Sequence, residues 1–176
     1  MGGGLRDCDP GPGIARAVDY LDGWQGQSTA ELLALRGTCE AESLMLAFEL
    51  ALETHSLARS LTSAEERVLA VAAFAREMAD GGYALFFGNA SARYAALMVD
   101  LLFELDCADA ARLTRGALGV LRVDPTPAAL TARMAQAEPG LLALLERSDE
   151  RYAALNLPLA ERLLAWIARH AEAVRC

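Results

Sequence analysis

The stretch Asn89-Ala90-Ser91-Ala92-Arg93-Tyr94-Ala95-Ala96-Leu97-Met98-Val99-Asp100-Leu101-Leu102-Phe103-Glu104-Leu105 decides the fold class. Tyr94, Leu97, Met98, Leu101, Leu102 and Leu105 recur at steps of three and four, the period of one face of an α-helix. Asn89-Ala90-Ser91 stands where a cap belongs. The rest of the chain has the same bias: alanine supplies 36 of the 176 residues, leucine 30 and isoleucine two. Alanine and leucine lose little on entering a helix, and residues that favour strands are scarce. The reading is an all-α fold, a single compact multi-helix domain of about seven to eight helices over residues 14–176. Residues 1–13, with five glycines and two prolines, read as a flexible leader.

Punctuation places the helices. A short one is expected over Ile14–Leu21, broken by the Gly23–Gln27 stretch. Ser28-Thr29-Ala30-Glu31 has capping-box spacing and starts a helix that Gly37 ends. A long helix follows from about Thr38 to Arg59. Thr62-Ser63-Ala64-Glu65-Glu66 holds two overlapping capping boxes and opens a helix to about Ala79, which Asp80-Gly81-Gly82 stops. Beyond Leu105, helices are expected over Ala108–Leu121, Ala128–Ala137 (ending at Pro139-Gly140) and Leu141–Arg147. A last one from near Pro158 carries Leu159, Leu163, Trp166, Ile167 and His170 on one face. Thr126-Pro127 fits an N-cap with proline at the first helical position.

Charge narrows the functions. All sixteen basic residues are arginine, a composition typical of a GC-rich bacterial genome, and the net charge is −8. Residues 1–109 carry −10 and residues 110–176 carry +2. The acidic part repels nucleic acid and attracts basic surfaces, so direct DNA or RNA binding is not expected. No apolar run reaches the ~18 residues of a membrane helix, and no apolar stretch follows a basic start. With no C-x-x-C pair, Cys8, Cys39, Cys107 and Cys176 read as free thiols in a cytoplasmic protein.

Three segments in order resemble a family. Leu61-Thr62-Ser63-Ala64-Glu65-Glu66-Arg67-Val68-Leu69, then Asp80-Gly81-Gly82-Tyr83-Ala84-Leu85-Phe86-Phe87-Gly88-Asn89, then Asp149-Glu150-Arg151-Tyr152-Ala153-Ala154-Leu155 with Leu163-Leu164-Ala165-Trp166-Ile167, are similar to a bacterial domain family named after a DNA-mimic protein. The resemblance covers Leu61–Val174. Asp80 and Leu85 stand where the family has asparagine and glutamine. The resemblance implies a helical domain that can occupy the DNA site of another protein.

Two acidic runs agree with that implication. Glu42, Glu49 and Glu53 fall within about 40° of one another on a helix, spaced by ~10 and ~6 Å along its axis. No arginine lies three or four residues from any of them. Asp100, Glu104, Asp106 and Asp109 form a second run. Unpaired carboxylates in rows can stand in for phosphates, which duplex DNA spaces at about 3.4 Å per strand. The expected partner is a basic protein, either a DNA-binding protein or, in the alternative of an immunity or antitoxin role, a nuclease-type toxin. A solvated acidic surface is the plainer reading of the same residues.

The remaining candidates point to structure. Gly81, Gly82, Tyr83, Phe86, Phe87 and Asn89 read as a helix–loop–helix connector whose aromatics plug the core, with a small-ligand pocket as the alternative. Phosphate cradling is not expected, since neither G-x-G-x-x-G nor a P-loop lysine is present. His55 and His170 are isolated on apolar faces. No metal-ligand spacing, nucleophile–base pair or cofactor motif occurs, so neither an enzyme nor a cofactor is expected.

Overall fold

The capping boxes set the first boundaries. In the computed structural model, which describes residues 19–176, the Ser28 hydroxyl accepts from the Glu31 N–H (3.3 Å) while the Glu31 carboxylate accepts from the Ser28 N–H (2.8 Å), opening helix α1, Thr29–Ala34. Thr62 and Glu65 repeat the exchange at 3.2 and 2.8 Å and open α3, Ser63–Asp80. Between them lies α2, Ala41–Ser56. It starts later than the expected Thr38 because Asp19 pairs there: its N–H donates to the Thr38 carbonyl (2.8 Å) and its carbonyl accepts from the Glu40 N–H (2.9 Å). At the other end it stops at Ser56, short of Arg59, which turns to Glu65. Most of the helix expected over Ile14–Leu21 falls outside the described residues, as do the leader and Cys8. Asp19 itself is extended rather than helical.

The chain continues through α4, Gly82–Gly88, a 3₁₀ turn at Ala90–Tyr94, and α5, Ala95–Glu104. Then come α6, Ala108–Leu121; α7, Pro127–Ala135; α8, Pro139–Ala153; and α9, Leu159–Arg169. The fold is all-α, a single domain, with no strand among the described residues.

Two boundaries differ from expectation. Residues 82–88, read as a connector, form a short helix, whose turn brings Tyr83, Phe86 and Phe87 together on the buried side. Pro139-Gly140, read as the end of one helix, opens the next: proline has no N–H to lose in a first turn and its φ is already helical. Helix α8 therefore runs six residues past the expected stop at Arg147.

Helix α3 lies at the centre and touches α2, α4, α5 and α9. Its run Val68-Leu69-Ala70-Val71-Ala72-Ala73-Phe74 is buried throughout, and the small alanines let neighbours approach from several sides. Phe74 packs edge-on against Phe86 (centroids 4.9 Å) and Tyr152 (5.6 Å) and tilted against Tyr83 (6.2 Å).

The C-terminal residues are stitched into the starts of α1 and α3. Thr29 donates to the Val174 carbonyl (2.7 Å), Thr62 to the Ala173 carbonyl (2.8 Å), and the Arg175 N–H to Glu65 (3.0 Å). Glu65 is fully buried and also holds Arg59 through both its oxygens, at 2.7 and 2.8 Å. Burial pushes its carboxyl up, but the Arg59 guanidinium and the Thr62 and Arg175 N–H groups outweigh that and bring it down to about 2.

A carboxyl depressed in the folded state stabilises above its ordinary pKa of about 4.3, and that stability is lost as pH falls towards about 2. Glu65→Gln is expected to lose about 1–2 kcal/mol at pH 7. The gap from wild type should shrink as urea unfolding is repeated from pH 5 down to pH 2.5. A gap that holds constant with pH contradicts the assignment. Glu49 and Asp149, raised by burial, act in the opposite sense: their contribution is present at low pH and is lost as pH rises through their elevated values.

Candidate functional site

The three carboxylates on α2 share a flank, and that flank borders α3. Glu49 is consequently buried (6% exposed), and Arg76 of α3 reaches across to bond its carboxylate. The expectation that Glu49 stands unpaired is corrected here. Burial raises its carboxyl, and the Arg76 guanidinium counters that. Glu42 and Glu53, seven residues before and four after, remain exposed with no ion pair among the described residues.

The second run is also partly neutralised. Glu104 accepts from Arg67 of α3 at 2.6 Å, and Asp109 from Arg112 at 2.6 Å, three positions on along α6. Both are therefore corrected as unpaired charges. The Asp109–Arg112 pair is exposed at both ends and contributes little to stability. Asp100 lies exposed on α5, and Asp106 is exposed in the α5–α6 turn at φ 58°.

The two runs do not line one groove. Glu42, Glu49 and Glu53 follow the α2–α3 seam, whereas Asp109 lines a separate cleft between α6 and α8. The seam is a chain of depressions. A hollow of about 530 Å³ holds Glu42 beside Met45, Leu46 and Met78. The Glu49–Arg76 pair separates it from a smaller one of about 190 Å³, bounded by Glu53 and Arg93. A third, of about 750 Å³, carries Glu53 and Glu66 over Leu50, Leu57 and Leu97. Glu66 is an acidic residue whose sequence context is that of a helix start. Its position in a first turn, where carboxylates are common, hid its place on this surface. Three carboxylates without ion pairs (Glu42, Glu53 and Glu66) thus mark the seam among the described residues, with Leu57 89% exposed beside them.

The glycine–aromatic segment is built into the core. Tyr83, Phe86 and Phe87 are fully buried, and the Tyr83 hydroxyl meets Thr114 at 2.9 Å, while burial pushes its phenol well up. Gly82 sits at φ +67°, and a Cβ there would land inside the Asp149 carboxyl group. That carboxylate accepts from the Tyr83 N–H at 2.8 Å and so caps α4. Asn89 accepts from the Ser91 N–H (2.8 Å) and donates to Glu77 (2.8 Å), a buried carboxylate that also accepts from the Ser91 hydroxyl. The segments at 80–89 and 149–155, far apart in sequence, are therefore two sides of one joint.

His55 packs edge-on to Trp24 (5.5 Å), with Nδ1 3.1 Å from the Arg175 carbonyl, and His170 stacks on Trp166 at 4.1 Å. Cys39, Cys107 and Cys176 form no disulfide among the described residues, and burial pushes the Cys107 and Cys176 thiols up. Among the described residues no cluster of three His, Cys, Asp or Glu side chains could hold a metal ion, and no helix is long and apolar enough to cross a membrane.

A family model described as DMP19-like protein matches residues 59–170 of the chain. No curated protein and no solved structure matches it.

Proposed function

Since this chain belongs to the DMP19-like protein family, we propose that it binds a basic, DNA-contacting protein through the α2–α3 seam, offering carboxylates where that partner takes phosphates. The role is one of binding rather than catalysis. The supporting observation is the placement of Glu42, Glu53 and Glu66 along the hollows of this seam with no ion pair among the described residues, although Arg93 lines the two hollows that hold Glu53. Glu42 and Glu53 stand eleven residues apart on α2, about 16 Å along its axis. The apolar side chains between them, Met45, Leu46 and Leu50, add a contact that DNA lacks. Such a surface gives fast, salt-sensitive association through its charges and slower release through its apolar floor.

The test is capture from lysate at low salt, elution at high salt, and a check that the eluted protein binds duplex DNA. Glu42→Arg with Glu53→Arg is expected to weaken capture at least tenfold at physiological salt, about 1.4 kcal/mol. Glu104→Gln with Asp109→Asn, which alters carboxylates already paired, should leave it within about twofold. Duplex DNA and this protein should exclude one another on the partner. Capture that survives the double reversal, or a partner that holds both ligands at once, overturns the reading.

A further inference from the structure

The cleft between α6 and α8 has the opposite electrostatic character to the seam. It encloses about 620 Å³ and is lined by Arg112 from α6 and by Arg147 and Arg151 from α8, with Asp109 the one carboxylate. Its floor is apolar, formed by Leu113, Val120, Leu144 and Leu155, and Leu144 is 45% exposed. Arg147 and Arg151 make no ion pair among the described residues. Arg112 holds only the exposed Asp109, a contact weak enough to exchange for a better carboxylate. An acidic chain has thus gathered three arginines on one cleft. The lining on α6 runs from Asp109 to Val120, about 16 Å or three helical turns. A small anion calls for donors that converge on a point. Here Arg147 and Arg151 are four residues, about 6 Å, apart on α8 and Arg112 belongs to the opposite wall, α6, over a floor that is apolar along its length.

We propose that the α6–α8 cleft is a second docking site, for an acidic amphipathic helix of another protein. The apolar face of that helix lies on Leu113, Val120 and Leu144, and its flanking carboxylates pair with Arg112, Arg147 and Arg151. Arginine suits this because its planar fork takes a carboxylate with two parallel hydrogen bonds, and an apolar trough accepts helical residues at i, i+3, i+4 and i+7. None of these residues belongs to the seam, so the two sites stand or fall separately.

The probe is a fluorescein-labelled synthetic helix of about 14 residues, with leucine at i, i+3, i+4 and i+7 and glutamate between, titrated into the full chain and read by anisotropy. Saturable binding is expected at low salt. Arg147→Glu with Arg151→Glu, and separately Leu144→Asp, should weaken it at least tenfold. Glu42→Arg with Glu53→Arg should leave it within twofold. All these positions are exposed, and unchanged thermal melts confirm folding. Absence of saturable binding, or binding indifferent to the α8 reversals, overturns the proposal. Competition by decanoate at matching affinity overturns it too, assigning the cleft to a small amphiphilic anion.

Discussion

Phe74→Ala is expected to lower the free energy of unfolding by about 4 kcal/mol, within the usual range for emptying a fully buried phenylalanine site. Phe74 is completely enclosed and meets three other rings, Phe86, Tyr152 and Tyr83. Edge-to-face geometry adds about 0.5–1.5 kcal/mol per pair beyond area burial, so the loss exceeds the hydrophobic part alone. Urea unfolding monitored by far-UV circular dichroism measures it. Tyr83→Phe makes an informative contrast. It keeps the ring and removes only the partner of Thr114, a buried hydroxyl, and should cost about 1–2 kcal/mol. A Phe74→Ala loss below about 2 kcal/mol would mean that the cluster collapses around the gap and that the other three rings do not depend on Phe74.

Gly82→Ala is expected to cost about 2–3 kcal/mol, a large penalty for one methyl group. Two causes add. The left-handed backbone at φ +67° costs an L-residue about 1–2 kcal/mol. The new Cβ also takes the space of the Asp149 carboxyl group, which must swing away and release the Tyr83 N–H, a cap worth about 1 kcal/mol. The second cause predicts a coupling. In an Asp149→Ala background the cap and the collision are both already gone, so Gly82→Ala should cost only the backbone part, and the two changes should sum to about 1 kcal/mol less than their separate effects. Strict additivity removes Asp149 from the account. Gly81 offers the control: its φ of −169° is ordinary extended backbone, and an added Cβ there meets only the Leu85 side chain.

Helix starts were the most legible feature of the chain. Ser28, Thr62 and Thr126 each cap the helix that their spacing announces, because a cap is a contact between residues two or three apart and depends on little else. Boundaries are ambiguous where a local signal has two meanings. Pro139-Gly140 reads equally as the end of α7 and the first turn of α8, and only the packing of Leu141 and Leu145 into the core decides between them. The segment from Gly82 to Gly88 carries too few residues to show a helical period, and its burial makes it helical.

The candidate site divides along the same line. Sequence placed Glu42, Glu49 and Glu53 on one side of one helix, since 3.6 residues per turn is a property of the helix alone. It could not place that side against α3. Arg76 lies 27 residues from Glu49 and Arg67 lies 37 from Glu104, so only helix packing brings these charges together. Glu66 joined the surface, and Arg112, Arg147 and Arg151 came to share one cleft, for the same reason. The sequence by itself determined the helical class, the caps and the angular position of each carboxylate on its own helix, all set by contacts within a turn or two. Which carboxylates keep their charge free for another molecule was decided only by the tertiary structure, because a salt bridge depends on distance in space and the chain folds distant arginines onto some acids and away from others.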